Sequence, residues 1–151
     1  MLNRILMSLV VLIFASSAFA VEPAITFSEV HARPTAGKVG VAFFTATSTK
    51  ADTILSVSSD CCKAVELHRT EKLNGVMSMR RIATLSLKKN TPVRIQPDAK
   101  GGEHVMLIGL EAPLKDGDTV KVNFTFSKAP AQTVVFPVKA ASAASPVHEL
   151  H

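Results

Sequence analysis

Residues 119–127 read TVKVNFTFS. Val120, Val122, Phe124 and Phe126 alternate with Lys121, Asn123 and Thr125, a period of two that sends every apolar side chain to one face of an extended strand. The same alternation recurs in short segments bounded by Gly, Pro, Asn, Asp and Ser: 25–30, 39–47, 53–58, 64–70, 75–81, 83–88, 92–96, 103–110 and 132–138. No stretch after residue 20 sustains the 3.6-residue period of an amphipathic helix. The chain is therefore all-β, and short strands at this spacing predict a two-sheet β-sandwich with Greek-key connections. Asn74-Gly75 is a hairpin signal, Asp116-Gly117-Asp118 is a turn between two strands, and Pro97–Gly102 is the longest loop expected inside the domain.

The flanks differ from this core. Residues 1–20 carry one Arg, an apolar run from Ile5 to Phe14 and an Ala18-Phe19-Ala20 end, the pattern of a secretory signal peptide cut after Ala20. The sandwich domain is expected over 21–138, and 139–151, rich in Ala and Ser, as a flexible C-terminal tail. With 47% hydrophobic and 19% charged residues, the mature chain has enough apolar material for one packed core and is no disordered segment. Loss of Arg4 with the leader lowers the net charge from +5 to +4. That charge is scattered, and with no Trp or Tyr to stack on bases, nucleic-acid binding is excluded as a reading. No later run is apolar enough for stable membrane insertion after signal cleavage, so the expected location is the periplasm.

Met77, Met79 and Met106 are the methionines that remain after residue 20, and His31, His68 and His104 are the histidines of the domain. His104 and Met106 are two apart on one strand and share a face, opposite Val105 and Leu107; Met77 and Met79 share a face likewise. In Val65-Glu66-Leu67-His68 the apolar pair points inward, and Glu66 and His68 point outward. His104 and Met106 are expected to be exposed. Imidazole and thioether donors together suit copper(I) better than zinc, calcium or magnesium. No nucleophile-elbow motif occurs and no acid is recognisable beside a histidine in a triad-like arrangement, so no enzyme is expected.

The stretches Val65–His68, Asn74–Arg80, His104–Leu110 and Pro113–Asp118 resemble the PCuAC-type periplasmic copper chaperones, cupredoxin-like proteins that carry copper(I) toward the dinuclear copper site of cytochrome oxidase. The resemblance runs over about residues 25–138. It implies a cupredoxin-like sandwich, a copper(I) site made of His68, Met79, His104 and Met106, with Met77 in reserve, and transfer to an acceptor such as cytochrome oxidase or another copper chaperone. Ten residues separate His68 from Met79, as in the family; twenty-four separate Met79 from His104, a few more than the family spacing. The Pro97–Gly102 loop would absorb the difference. His31-Ala32-Arg33 stands where the family usually has a Trp two residues before an Arg.

Cys61 and Cys62 are adjacent, so a bond between them would be strained. They stand as loop residues, as a redox-sensitive or auxiliary copper(I) pair, or as partners in an intermolecular disulfide. If the chain runs extended from Cys62 to His68 the two are about 20 Å apart and cannot share an ion. His148 and His151 form a His-x-x-His in the tail that could chelate copper(II). Two rival readings remain: a metal-free adhesion or assembly module, and an electron-transfer cupredoxin, which would need a Cys thiolate beside two His and a Met.

Overall fold

The structure is a computed structural model that describes residues 23–96 and 101–140. The expected leader cut and the tail histidines His148 and His151 lie outside the described residues. Ten strands follow in order: β1 Ile25–Ala32, β2 Val39–Ser48, β3 Asp52–Ser58, β4 Cys62–Leu73, β5 Val76–Ile82, β6 Leu85–Leu87, β7 Val93–Ile95, β8 Gly101–Leu110, β9 Thr119–Phe126 and β10 Gln132–Pro137. Each corresponds to one expected from the alternation. β6 and β7 shrink to three residues each, around a turn in which Asn90 adopts φ 53°.

One sheet runs β1-β2-β8-β4-β5, with β7 also paired to β2; the other runs β10-β9-β3-β6. Every strand pair is antiparallel. The chain passes repeatedly from sheet to sheet, so spatial neighbours such as β2 and β8 are distant in sequence, as Greek-key connections require. Between the sheets Phe44 meets Phe124 edge-on at 5.3 Å, Phe27 lies 4.7 Å from Phe124, and Ile54, Val105, Leu107, Val120, Val122 and Phe136 are buried around them. Rings at these separations contribute beyond their buried area. The four apolar side chains of TVKVNFTFS all enter this core.

β4 is longer than the expected 64–70 for a local reason. Asn74 (φ 50°) and Gly75 (φ 84°) close a two-residue turn between Leu73 and Val76, and two positive φ values are what a type I′ hairpin turn needs. The turn extends the β4–β5 ladder past the second sheet, where core-side positions carry charges. There Arg69 binds Glu103 at 2.7 Å and Arg80 binds Glu71 at 2.8 Å.

β8 also starts earlier than expected, since Gly101 and Gly102, assigned to a loop from sequence, pair with Glu71 and Thr70. Gly101 has φ 122°, and a Cβ there would strike the Thr70 carbonyl oxygen. Only glycine lets the two backbones approach at this point. At the other end, Lys139 N–H binds the Ala32 carbonyl at 2.9 Å and Ala140 N–H binds Asp116 Oδ1 at 2.9 Å, so the first two residues of the expected tail are tied to the sandwich.

One buried carboxylate fastens the second sheet. Asp52 accepts hydrogen bonds from the backbone N–H groups of Thr53 (2.7 Å), Lys128 (3.0 Å) and Ala129 (2.8 Å), joining the start of β3 to the turn after β9. Burial alone would raise its pKa, but these donors and the Lys128 charge hold it below the ordinary carboxylate range. Asp52→Ala should lower the unfolding free energy by about 2–3 kcal/mol, since it strands amide donors. Asp52→Asn, which retains one acceptor, should cost less; urea denaturation of both variants checks the order.

Candidate metal centre

β4 lies between β5 and β8 in the first sheet, and its alternation divides the faces. Val65 and Leu67 are buried toward the second sheet, while Glu66, His68 and Thr70 face away from it. Paired residues of neighbouring strands share a face, so the register sets three rows across the outer surface. Arg81, His68 and His104 form one row; Met79, Thr70 and Gly102 form the next toward the hairpin; Glu66 and Met106 form the next in the opposite direction. Four residues from three strands that are remote in sequence therefore converge on one patch.

The contacts within the patch are short. His104 Nε2 lies 3.2 Å from Met79 Sδ, and the His68 and His104 rings stand 5.9 Å apart, centroid to centroid. Met106 is half-buried in the adjoining row, about 7 Å along β8 from His104 by strand rise. Met77 pairs with Lys72, one row further toward the hairpin turn than Met79. Contact with a histidine thus falls to Met79, and Met77 stays on the same face without entering the cluster's centre.

His104 corrects the sequence expectation of an exposed strand face. It is only 5% exposed, whereas Met79 is 53% exposed. β8 is flanked on both sides, by β2 and β4, so His104 is enclosed by its sheet neighbours and by the Met79 side chain; Met79 is on the edge strand and open to solvent. Val105 and Leu107 are fully buried on the opposite face, as expected.

The sequence also gave no acid partner for a histidine, yet Glu66 Oε2 lies 2.8 Å from His68 Nε2. The signal was present as two outward residues two apart on one strand; its meaning depended on side-chain rotamers. The hydrogen bond to His68 holds the Glu66 carboxyl below its ordinary pKa, against burial and with help from Arg81, 3.7 Å away. Nδ1 of His68 and Nδ1 of His104 are both buried without a hydrogen-bond partner. Buried imidazole nitrogens without partners are uncommon, and here two such atoms belong to side chains in a cluster that also holds two thioethers. No group of three or more His, Cys, Asp or Glu side chains among the described residues is arranged to hold a metal ion. The donors gathered here are imidazole and thioether, a set that suits soft ions.

Other sequence candidates lie elsewhere. Cys62 opens β4, so six residues of continuous strand separate it from His68, about 20 Å. This geometry leaves no thiolate for a blue-copper centre at the histidines. His31 packs 5.2 Å from Phe43, with the Arg33 guanidinium 5.0 Å over the same ring. Phe43 supplies the aromatic surface at the position where a Trp was missing.

Two antiparallel sheets carrying this patch define a cupredoxin-like β-sandwich of the PCuAC type. The chain belongs to the LpqE-like family of lipoprotein-type sequences, whose model matches residues 25–138. Lxx21020 of Leifsonia xyli subsp. xyli, named as a lipoprotein, is 30% identical over 93 residues, 61% of this chain and 54% of its own length. The chain thus spans about half of that curated relative. Among solved structures, the copper-bound PCuAC domain from PmoF2 superposes with a TM-score of 0.61 at 19% identity, covering 81% of this chain and 97% of that domain. Copper(I)-bound DR1885 from Deinococcus radiodurans gives 0.56 at 23% identity, covering 83% and 84%. These likenesses establish the fold.

Burial of His104, followed by the nearby His68, lowers the His104 pKa from its ordinary value; the Gly102 backbone acts weakly in the opposite sense. An unfolded chain therefore takes up this proton at a higher pH than the folded one, and stability must fall as pH drops through about 6.5 and below. Urea denaturation of the metal-free protein between pH 7.5 and 5.5 should show this decline. His104→Gln, which cannot titrate, should flatten it.

Proposed function

We propose that this chain is an exported copper(I)-binding metallochaperone that holds one ion through His68, Met79, His104 and Met106. The observation that carries this reading is the 3.2 Å approach of His104 Nε2 to Met79 Sδ beside two buried imidazole nitrogens that lack any partner. The donors are neutral, so they leave the charge of a monovalent ion intact, and thioethers bind without losing a proton. Copper-bound neighbours of the same fold support the choice of metal.

The unequal exposure of the donors suits transfer. His104 and His68 are held by the sheet, and Met79 on the edge strand is open to solvent. An acceptor's ligand can displace the Met79 thioether first, while the histidines retain the ion until the exchange completes. The acceptor is a copper protein such as the cytochrome oxidase dinuclear site or another copper chaperone. The leader over 1–20, with a sandwich domain over 21–138, assigns the protein to the periplasm, in keeping with the lipoprotein-type family. No bond of a substrate is made or broken in this role, so the protein is a carrier and no enzyme.

Met79→Ala should weaken copper(I) binding at least about tenfold, or 1.4 kcal/mol, while Met77→Ala changes it less than about twofold (below 0.5 kcal/mol). Competition against a chromophoric copper(I) chelator measures both. Equal losses in the two variants, or none in either, would overturn the ligand assignment.

A further inference from the structure

The two cysteines stand apart from the proposed site, and they are the only two in the chain. Cys61 is held in the turn before β4, where its N–H binds Ser59 Oγ at 3.2 Å and its carbonyl accepts from Glu111 N–H at 3.3 Å. Cys62 is the first residue of the strand that carries His68. Their sulfurs lie 2.7 Å apart, both thiols are free, and both residues are half-buried. Each borders a cleft: Cys62 one of about 510 Å³ with Lys38, Lys63 and Glu111, and Cys61 one of about 320 Å³ with Asp60 and Lys121.

We propose that Cys61 and Cys62 form a two-electron couple that reduces copper(II) to copper(I). The balance is two thiols and two copper(II) ions giving one Cys61–Cys62 disulfide, two copper(I) ions and two protons released to water. Each copper(II) takes one electron, and the sulfur–sulfur bond forms as both S–H bonds are lost. With no third cysteine in the chain, an intramolecular disulfide can form only between these neighbours. Consecutive Cα atoms are about 3.8 Å apart, shorter than the usual disulfide range, so the ring is strained and readily reduced again. Burial, then the neighbouring Cys61 sulfur, pushes the Cys62 thiol up to about 12. At neutral pH that thiol is protonated and slow toward ordinary electrophiles, whereas a thiophilic metal ion can displace its proton.

The inference extends the copper(I) reading by giving the His/Met patch a source of ions in the right oxidation state. Thioether and imidazole donors favour copper(I), and these thiols are the chain's own dithiol reductant.

The test uses the fully reduced mature protein under anaerobic conditions with two equivalents of copper(II) chloride. Copper(I) is read with a copper(I)-specific chelator, thiols by colorimetric titration, and the product by intact mass and non-reducing electrophoresis. The expected result is two copper(I) per chain, loss of both thiols, a mass lower by two hydrogens and a monomer whose thiols return with dithiothreitol. The Cys61→Ser/Cys62→Ser variant should generate no copper(I) above the protein-free blank, yet bind added copper(I) as the parent does. The single variant Cys61→Ser should yield at most one copper(I) per chain, accompanied by a cross-linked dimer. Persistence of the thiols with copper(II), or a cross-linked dimer as the parent's main product, would overturn the proposal. Met79→Ala should still oxidise its thiols, so weak copper(I) binding with normal thiol oxidation counts against the His/Met site alone.

Discussion

The antiparallel ladder between β4 and β8 is the constraint on which the molecule depends. It pairs Val65 with Leu107 and Leu67 with Val105 on the core face, and His68 with His104 and Glu66 with Met106 on the outer face. A slip of one residue would turn the four apolar side chains to solvent and the histidines into the core. Packing between the sheets therefore fixes the position of the metal-binding patch on the far side of the same backbone. Gly101 sustains the ladder at its outer end, because no larger residue tolerates the contact with the Thr70 carbonyl.

This arrangement separates stability from chemistry. The aromatic and aliphatic core lies between the sheets, and the donors lie on the back of one of them, so the patch need not contribute to folding. His104 is the exception, a buried imidazole whose Nδ1 has no partner. Leaving such a group without a bond costs of the order of 1–3 kcal/mol. That cost is recovered when the nitrogen meets a metal ion. Glu66 acts from the next row, binding Nε2 of His68 and leaving Nδ1 as the free nitrogen of that ring.

β4 carries three different chemistries along its length. Its start bears a thiol pair, its centre bears Glu66 and His68, and its end rises into an ion-paired hairpin that holds β5 and Met79 over His104. The hairpin's projection beyond the second sheet keeps Met79 at an open edge. Extension of the strand also keeps the thiols and the histidines from sharing one ion, so any traffic between them passes through solvent or a partner.

The alternation in TVKVNFTFS and its counterparts determined the all-β class and all ten strands, because inward and outward facing is a local property of a strand. Asn74-Gly75 determined the hairpin for the same kind of reason, since positive φ is a preference of those residues. The shared face of His104 and Met106 followed from their spacing of two. What neighbours they would meet did not. The enclosure of His104, the contact of Met79 in preference to Met77, the bond between Glu66 and His68, and the pairing of Gly101 and Gly102 into β8 all depend on which strands lie side by side and in what register. Register is set by the packing of side chains from distant segments into one core, and no local pattern along the chain records it.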